Sequence, residues 1–103
     1  MAGCDGSRVV VTGVGVVSPV GIGNDNFWDS LKSNRTGIDY LQSIGTDDLP
    51  SPFAAEVCDF DPVAMLRDRK FIKVMSRDVQ LGVASAGLAM KDTGLSPGDV
   101  DPY

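Results

Sequence analysis

Gly13 and Gly15 stand two apart behind an apolar run, RVVVTGVGVVSPVG at residues 8–21, a spacing that can open a phosphate-binding loop. Dinucleotide binding needs G-x-G-x-x-G: a tight turn, a close approach to pyrophosphate, then a helix packed on the strand. Ser18 holds the third glycine's place and Pro19 follows it, inside the segment that should become the helix. No Gly-Lys-Ser/Thr of a P-loop is present either. The better reading of the two glycines is a place where another backbone packs close.

The nucleophiles are few. The chain has two cysteines, Cys4 and Cys58, and no histidine, which removes Ser-His and Cys-His catalysis and most zinc sites. Cys58 has Glu56 and Asp59 nearby, and acidic neighbours raise a thiol's pKa, so it reads as structural. Cys4, in a polar tail over residues 1–7, reads as an incidental thiol, and Ser18 as a turn residue without a base. Asp47-Asp48 and the Asp59/Asp61 pair read as loop carboxylates and a helix cap. No catalytic residue, cofactor or metal site is expected. Two cysteines make no disulfide framework, and no apolar leader or membrane-length run is present, so a cytoplasmic protein is the expectation.

The basic residues carry the clearest functional signal. Arg67, Arg69, Lys70, Lys73 and Arg77 are five of the nine basic residues, gathered into one short segment of a chain whose net charge is −5. That net charge argues against nucleic acid or anionic membrane as a partner, so attraction to an acidic surface must be local. On a continuous helix Lys70, Lys73 and Arg77 would share a face, with Arg69 and Lys73 one turn apart. A solvated surface is the bland alternative.

The elements that position these residues follow from patterning. Residues 8–17 are apolar on both strand faces, Val9, Val11 and Val17 on one and Val10, Val14 and Val16 on the other. That pattern predicts a covered, central strand. Asn24 reads as the cap of a helix over about 25–34, which Thr36-Gly37 stops, with Lys32 and Arg35 at its negative end. Residues 38–52 read as loop and FAAEVC (53–58) as a short strand. Asp61-Pro62 opens a short helix to about Leu66, and 67–74 adds a further helical turn or two. The longest helix runs from about Ser76 to Thr93, with Gly94 as its left-handed stop. Its small residues Gly82, Ala84, Ser85, Ala86, Gly87 and Ala89 predict a buried helix. Two strands are too few for a stable sheet, so the chain reads as part of a larger fold.

RVVVTGVGVVSPVG resembles the amino-terminal signature of the β-ketoacyl synthases. The likeness continues through FWDSLKSN (27–34), RTGI (35–38), AAEVCDFDP (54–62) and KVMSRDVQLGVASAGLAMKDTGL (73–95), in order and spacing. It is nearest to the elongating type acting on carrier-protein thioesters. The resemblance implies an α/β architecture: over residues 1–103, the N-terminal portion of a thiolase-like, α-β-α-β-α layered condensing-enzyme domain, homodimeric when complete. It implies decarboxylative Claisen condensation in fatty-acid or polyketide synthesis, by a cysteine and two histidines that the family places downstream of this chain's last residue. By the same resemblance Lys70 and Lys73, flanked by Arg69 and Arg67, match positions that dock acyl carrier protein. Val74 departs from the pattern, standing where many elongating synthases carry another basic residue. A non-catalytic chain-length-factor-type subunit and a small carrier-protein-binding module are the alternatives.

Overall fold

Residues 17–22 form a tight hairpin in which β1 (Val17–Ser18) pairs antiparallel with β2 (Gly21–Ile22). The computed structural model describes residues 6–101, so Cys4 and most of the expected tail lie outside the described residues. The Ser18 hydroxyl donates to the Gly21 carbonyl at 2.8 Å and closes the turn, as expected of a turn residue. The strand predicted over 8–17 is corrected here, because it enters a ladder only at Val17 and Ser18. A ladder needs a partner strand and an apolar strand needs cover, yet Val9 is 97% and Val11 84% exposed. Single bonds tether the stretch instead. Val14 N donates to Asp92 at 2.9 Å, and Asn24 and Ser85 side chains donate to the Val14 and Gly15 carbonyls, each at 2.8 Å.

Helix α1 (Asn24–Lys32) starts one residue earlier than the sequence suggests. Gly23, at φ 88°, is its cap, a left-handed conformation that glycine adopts without a Cβ penalty. Asn24 is therefore not the cap: it lies inside the helix, its Nδ2 donates to the Val14 carbonyl, and its Oδ1, the atom a cap would use, accepts no hydrogen bond among the described residues. Ser30 is buried and donates to the Val20 carbonyl at 2.6 Å, seating α1 on the hairpin. The helix ends at Lys32 with Ser33 as C-cap, followed by Asn34 at φ 58°.

Residues 38–52 are not all loop. β3 (Ile38–Tyr40) pairs antiparallel with β4 (Phe53–Ala55), which is shorter than the strand expected over 53–58. Tyr40 opposes Phe53, with ring centroids 4.8 Å apart, a cross-strand contact that helps fix the register. The Glu56 carboxylate then accepts the Gln42 and Ser43 N–H groups at 2.8 and 3.3 Å, holding the connecting loop back against β4.

The C-terminal half follows the sequence reading closely. Asp61 caps α2 (Pro62–Met65), accepting the Val63 N–H at 2.9 Å, with proline at the first helical position. Asp68 caps α3 (Arg69–Ile72), and α4 (Arg77–Thr93) ends at Gly94 with φ 70°. Phe60, Leu66 and Ala84 form the buried core, with Val17, Ile22, Ile72, Met75 and Leu81 packed on it.

The close approach expected of Gly13 and Gly15 is present. A Cβ on Gly13 would sit 2.5 Å from the Ala89 carbonyl, and one on Gly15 would meet the Ser85 carbonyl and stand 2.5 Å from Ala89 N. The buried α4 is corrected in part: Ala84 is buried, while Gly82 and Gly87 face open space. The chain exposes 8547 Å², where a compact monomer of its mass would expose about 5,600 Å². Its radius of gyration is 17.8 Å, against about 13 Å for a closed domain of this length. Among the described residues two separate two-stranded ladders stand in place of a continuous sheet, so the layering there is partial.

Candidate functional site

The basic segment is built from two short helices and their joint. Arg67 follows the C-cap Leu66 of α2, Arg69 and Lys70 open α3, and Lys73 is the C-cap of α3. All four are exposed. Lys73 keeps helical torsions (φ −66°, ψ −23°), so Lys70 and Lys73 remain neighbours one turn apart. Phe71 and Val74 lie among them in the chain and are 56% and 80% exposed, so the segment presents apolar as well as basic side chains to solvent.

Arg77 does not join them. The helix breaks between Ile72 and Arg77, so the expected face shared by Lys70, Lys73 and Arg77 does not form. Instead Arg77 Nη2 donates to the Val57 carbonyl at 2.8 Å, and its guanidinium lies 4.8 Å from the centre of the Phe60 ring. It fastens the start of α4 to the segment between β4 and α2. The break follows from Ser76, which caps α4 in an extended conformation.

Gln80 was not legible as a site residue. Its side-chain Nε2 donates to the Ile72 and Met75 carbonyls at 3.2 and 3.3 Å, across the joint between α3 and α4. The available signal was its place four residues before Ala84, a polar residue on the side of α4 that is buried.

The reactive candidates lie apart from one another. Cys58 is exposed, a free thiol whose sulfur lies 3.6 Å from the Glu56 carbonyl oxygen. Hydrogen bonds from Ser43, then Gln42, hold the Glu56 carboxyl below the usual carboxylate range. Asp61 is committed to its cap, and Asp47 and Asp48 lie exposed in the 41–52 loop. Among the described residues no cluster of three His, Cys, Asp or Glu side chains could hold a metal ion. A groove of about 530 Å³ beside α1 is lined by Ser18, Asn26, Asp29, Arg35 and Asp59 among others, with the Ser18 hydroxyl already engaged by Gly21. No helix among the described residues is long and apolar enough to cross a membrane.

Residues 6–102 match the family model "Beta-ketoacyl synthase, N-terminal domain". The chain is 40% identical over 88 residues to a 3-oxoacyl-(acyl-carrier-protein) synthase 2 of Coxiella burnetii, covering 85% of this chain and 21% of that protein. It is 38% identical over 95 residues to the tetracenomycin polyketide synthase ketoacyl synthase alpha subunit of Streptomyces glaucescens, covering 92% and 22%. A solved structure described as the ishigamide ketosynthase/chain length factor superimposes with a TM-score of 0.80 at 32% identity, covering 88% of this chain and 22% of the other. The chain thus spans about a fifth of the length of the proteins it matches.

Proposed function

The chain belongs to the β-ketoacyl synthase family, and from that premise we propose that it is the carrier-protein-facing N-terminal part of a condensing enzyme. The reaction of the complete enzyme joins an acyl group, held as a thioester on a cysteine, to C2 of a malonyl thioester. Carbon dioxide leaves, the β-ketoacyl thioester is released and the enzyme thiol is restored. These 103 residues bring no histidine to that reaction, and the Cys58 sulfur meets the Glu56 backbone carbonyl. Their part is to build one face of the fold and present Arg67, Arg69, Lys70 and Lys73 to an acidic acyl carrier protein in the cytoplasm.

The observation that carries this reading is the exposed basic cluster in the segment that also exposes Phe71 and Val74, in a chain whose net charge is −5 and whose fold is that of a ketosynthase. A net positive cluster, moderated by the single carboxylate of Asp68 and set beside exposed apolar side chains, suits an acidic helical partner. The assignment of no catalytic group is tested by incubating the chain with acyl- and malonyl-carrier protein. No carbon dioxide or β-ketoacyl product above blank is expected, and turnover lost on Cys58→Ser overturns it. A chain-length-factor role is distinguished by reading the coding sequence beyond Tyr103. A cysteine at the nucleophile turn followed by two histidines marks the enzyme, and its absence marks the non-catalytic partner.

A further inference from the structure

We infer that Gln80 is a positioning residue for carrier-protein docking, fixing the direction in which Arg69, Lys70 and Lys73 are presented. This rests on the docking reading of those cations and adds a residue from a different helix.

α3 is four residues long. One isolated helical turn fixes several torsions for a single hydrogen bond and does not persist without outside support. Its start is held locally, where Asp68 accepts the Lys70 N–H at 3.1 Å. Its end is held from α4. The Gln80 amide has two N–H donors, and it donates to both Ile72 and Met75 carbonyls. The bonds from Val74 N and Met75 N to the Phe71 carbonyl lie within the turn and tie it to nothing else. Ile72 and Met75 pack on the core, but apolar packing is non-directional. Gln80 belongs to α4, the longest element, one turn before the buried Ala84, so its own position is fixed. Loss of its amide would free the joint to rotate on its apolar side. The cations would keep their charge and lose their common direction.

The test is a binding cycle with fluorescently labelled acyl carrier protein at low ionic strength. It compares the chain with Gln80→Leu, Lys70→Ala/Lys73→Ala, and the triple variant. Leucine removes the donors without changing charge; Gln80→Met serves in the same way if the leucine variant loses helix content. Gln80→Leu should weaken binding about three- to tenfold, the range of one or two lost hydrogen bonds. It should weaken it no further once Lys70 and Lys73 are gone, because residues that act through one another are non-additive. Amide exchange should quicken over residues 72–75 while α4 beyond Ala84 stays protected. If the lysine pair alone binds as tightly as the parent chain, the docking reading fails. If the lysine pair weakens binding but Gln80→Leu does not, or weakens it equally in both backgrounds, docking stands and the Gln80 inference fails.

Discussion

Gly15 and Ser85 meet twice, although 70 residues separate them: the Ser85 hydroxyl donates to the Gly15 carbonyl, and the Ser85 carbonyl occupies the space a Cβ on residue 15 would need. The glycine is required by the helix that lies against it. Gly15→Ala should therefore destabilise the chain by about 1–3 kcal/mol, the usual result of overpacking. In α4 itself, Gly82→Ala and Gly87→Ala enter open space and should stabilise by about 0.5–1 kcal/mol each. Urea titration followed by helical circular dichroism reads both signs, and a neutral Gly15→Ala would remove the close approach from this account.

Arg77 fastens α4 to the Val57 carbonyl and the Phe60 ring. Arg77→Ala should cost about 1–3 kcal/mol, combining a charged hydrogen bond with a partly exposed cation–π contact. Arg77→Lys should recover part of it, since lysine keeps the charge but lacks the planar fork. A loss of carrier-protein affinity without loss of stability would place Arg77 with the docking residues instead.

Acid should loosen the 41–52 loop. Ser43 and Gln42 hydrogen bonds depress the Glu56 carboxyl in the folded chain, so their stabilisation is present above the ordinary carboxylate pKa and is lost as pH falls through the depressed one. Asp78 behaves alike through the Ser76 hydroxyl. Amide exchange at Gln42 and Ser43, corrected for intrinsic rate, should rise on acidification below the usual carboxylate range. In Glu56→Gln it should be fast already and lack that step.

What was legible in the sequence was local chemistry. Asp61-Pro62 and Gly94 each act within one turn of their own position, so residue type alone places them. The glycine pair was legible because two glycines inside an apolar run mark a place where another backbone packs close; that Ser85 and Ala89 supply that backbone was not. Asn24 misled because residue type does not show where the helical torsions begin: Gly23 takes the cap, and Asn24 enters the helix with its Nδ2 donating to the Val14 carbonyl. Ile38–Tyr40 escaped notice because three residues centred on Asp39 carry too little pattern, and their strand character comes from pairing with Phe53–Ala55. The valines of 8–16 declare a strand suited to cover on both faces; patterning does not say whether the cover is present. Arg77 was grouped with the lysines because charge spacing does not reveal the break at Ser76.

The most direct measurement of the docking claim is acyl-carrier-protein affinity for the chain across a salt series, with charge reversal at Lys70 and Lys73. Attraction between exposed charges is screened over about 8 Å at physiological salt. Parent-chain binding should therefore weaken steadily as salt rises. Lys70→Glu/Lys73→Glu should weaken it about ten- to a hundredfold at low salt, by lost attraction plus repulsion, and flatten the salt dependence. Reversal of Lys32 and Arg35, at the far end of α1, should change little; Lys32 already pairs with Asp29 at 3.2 Å. Binding by the Lys70/Lys73 double variant as tight as that of the parent chain at low salt would contradict the account.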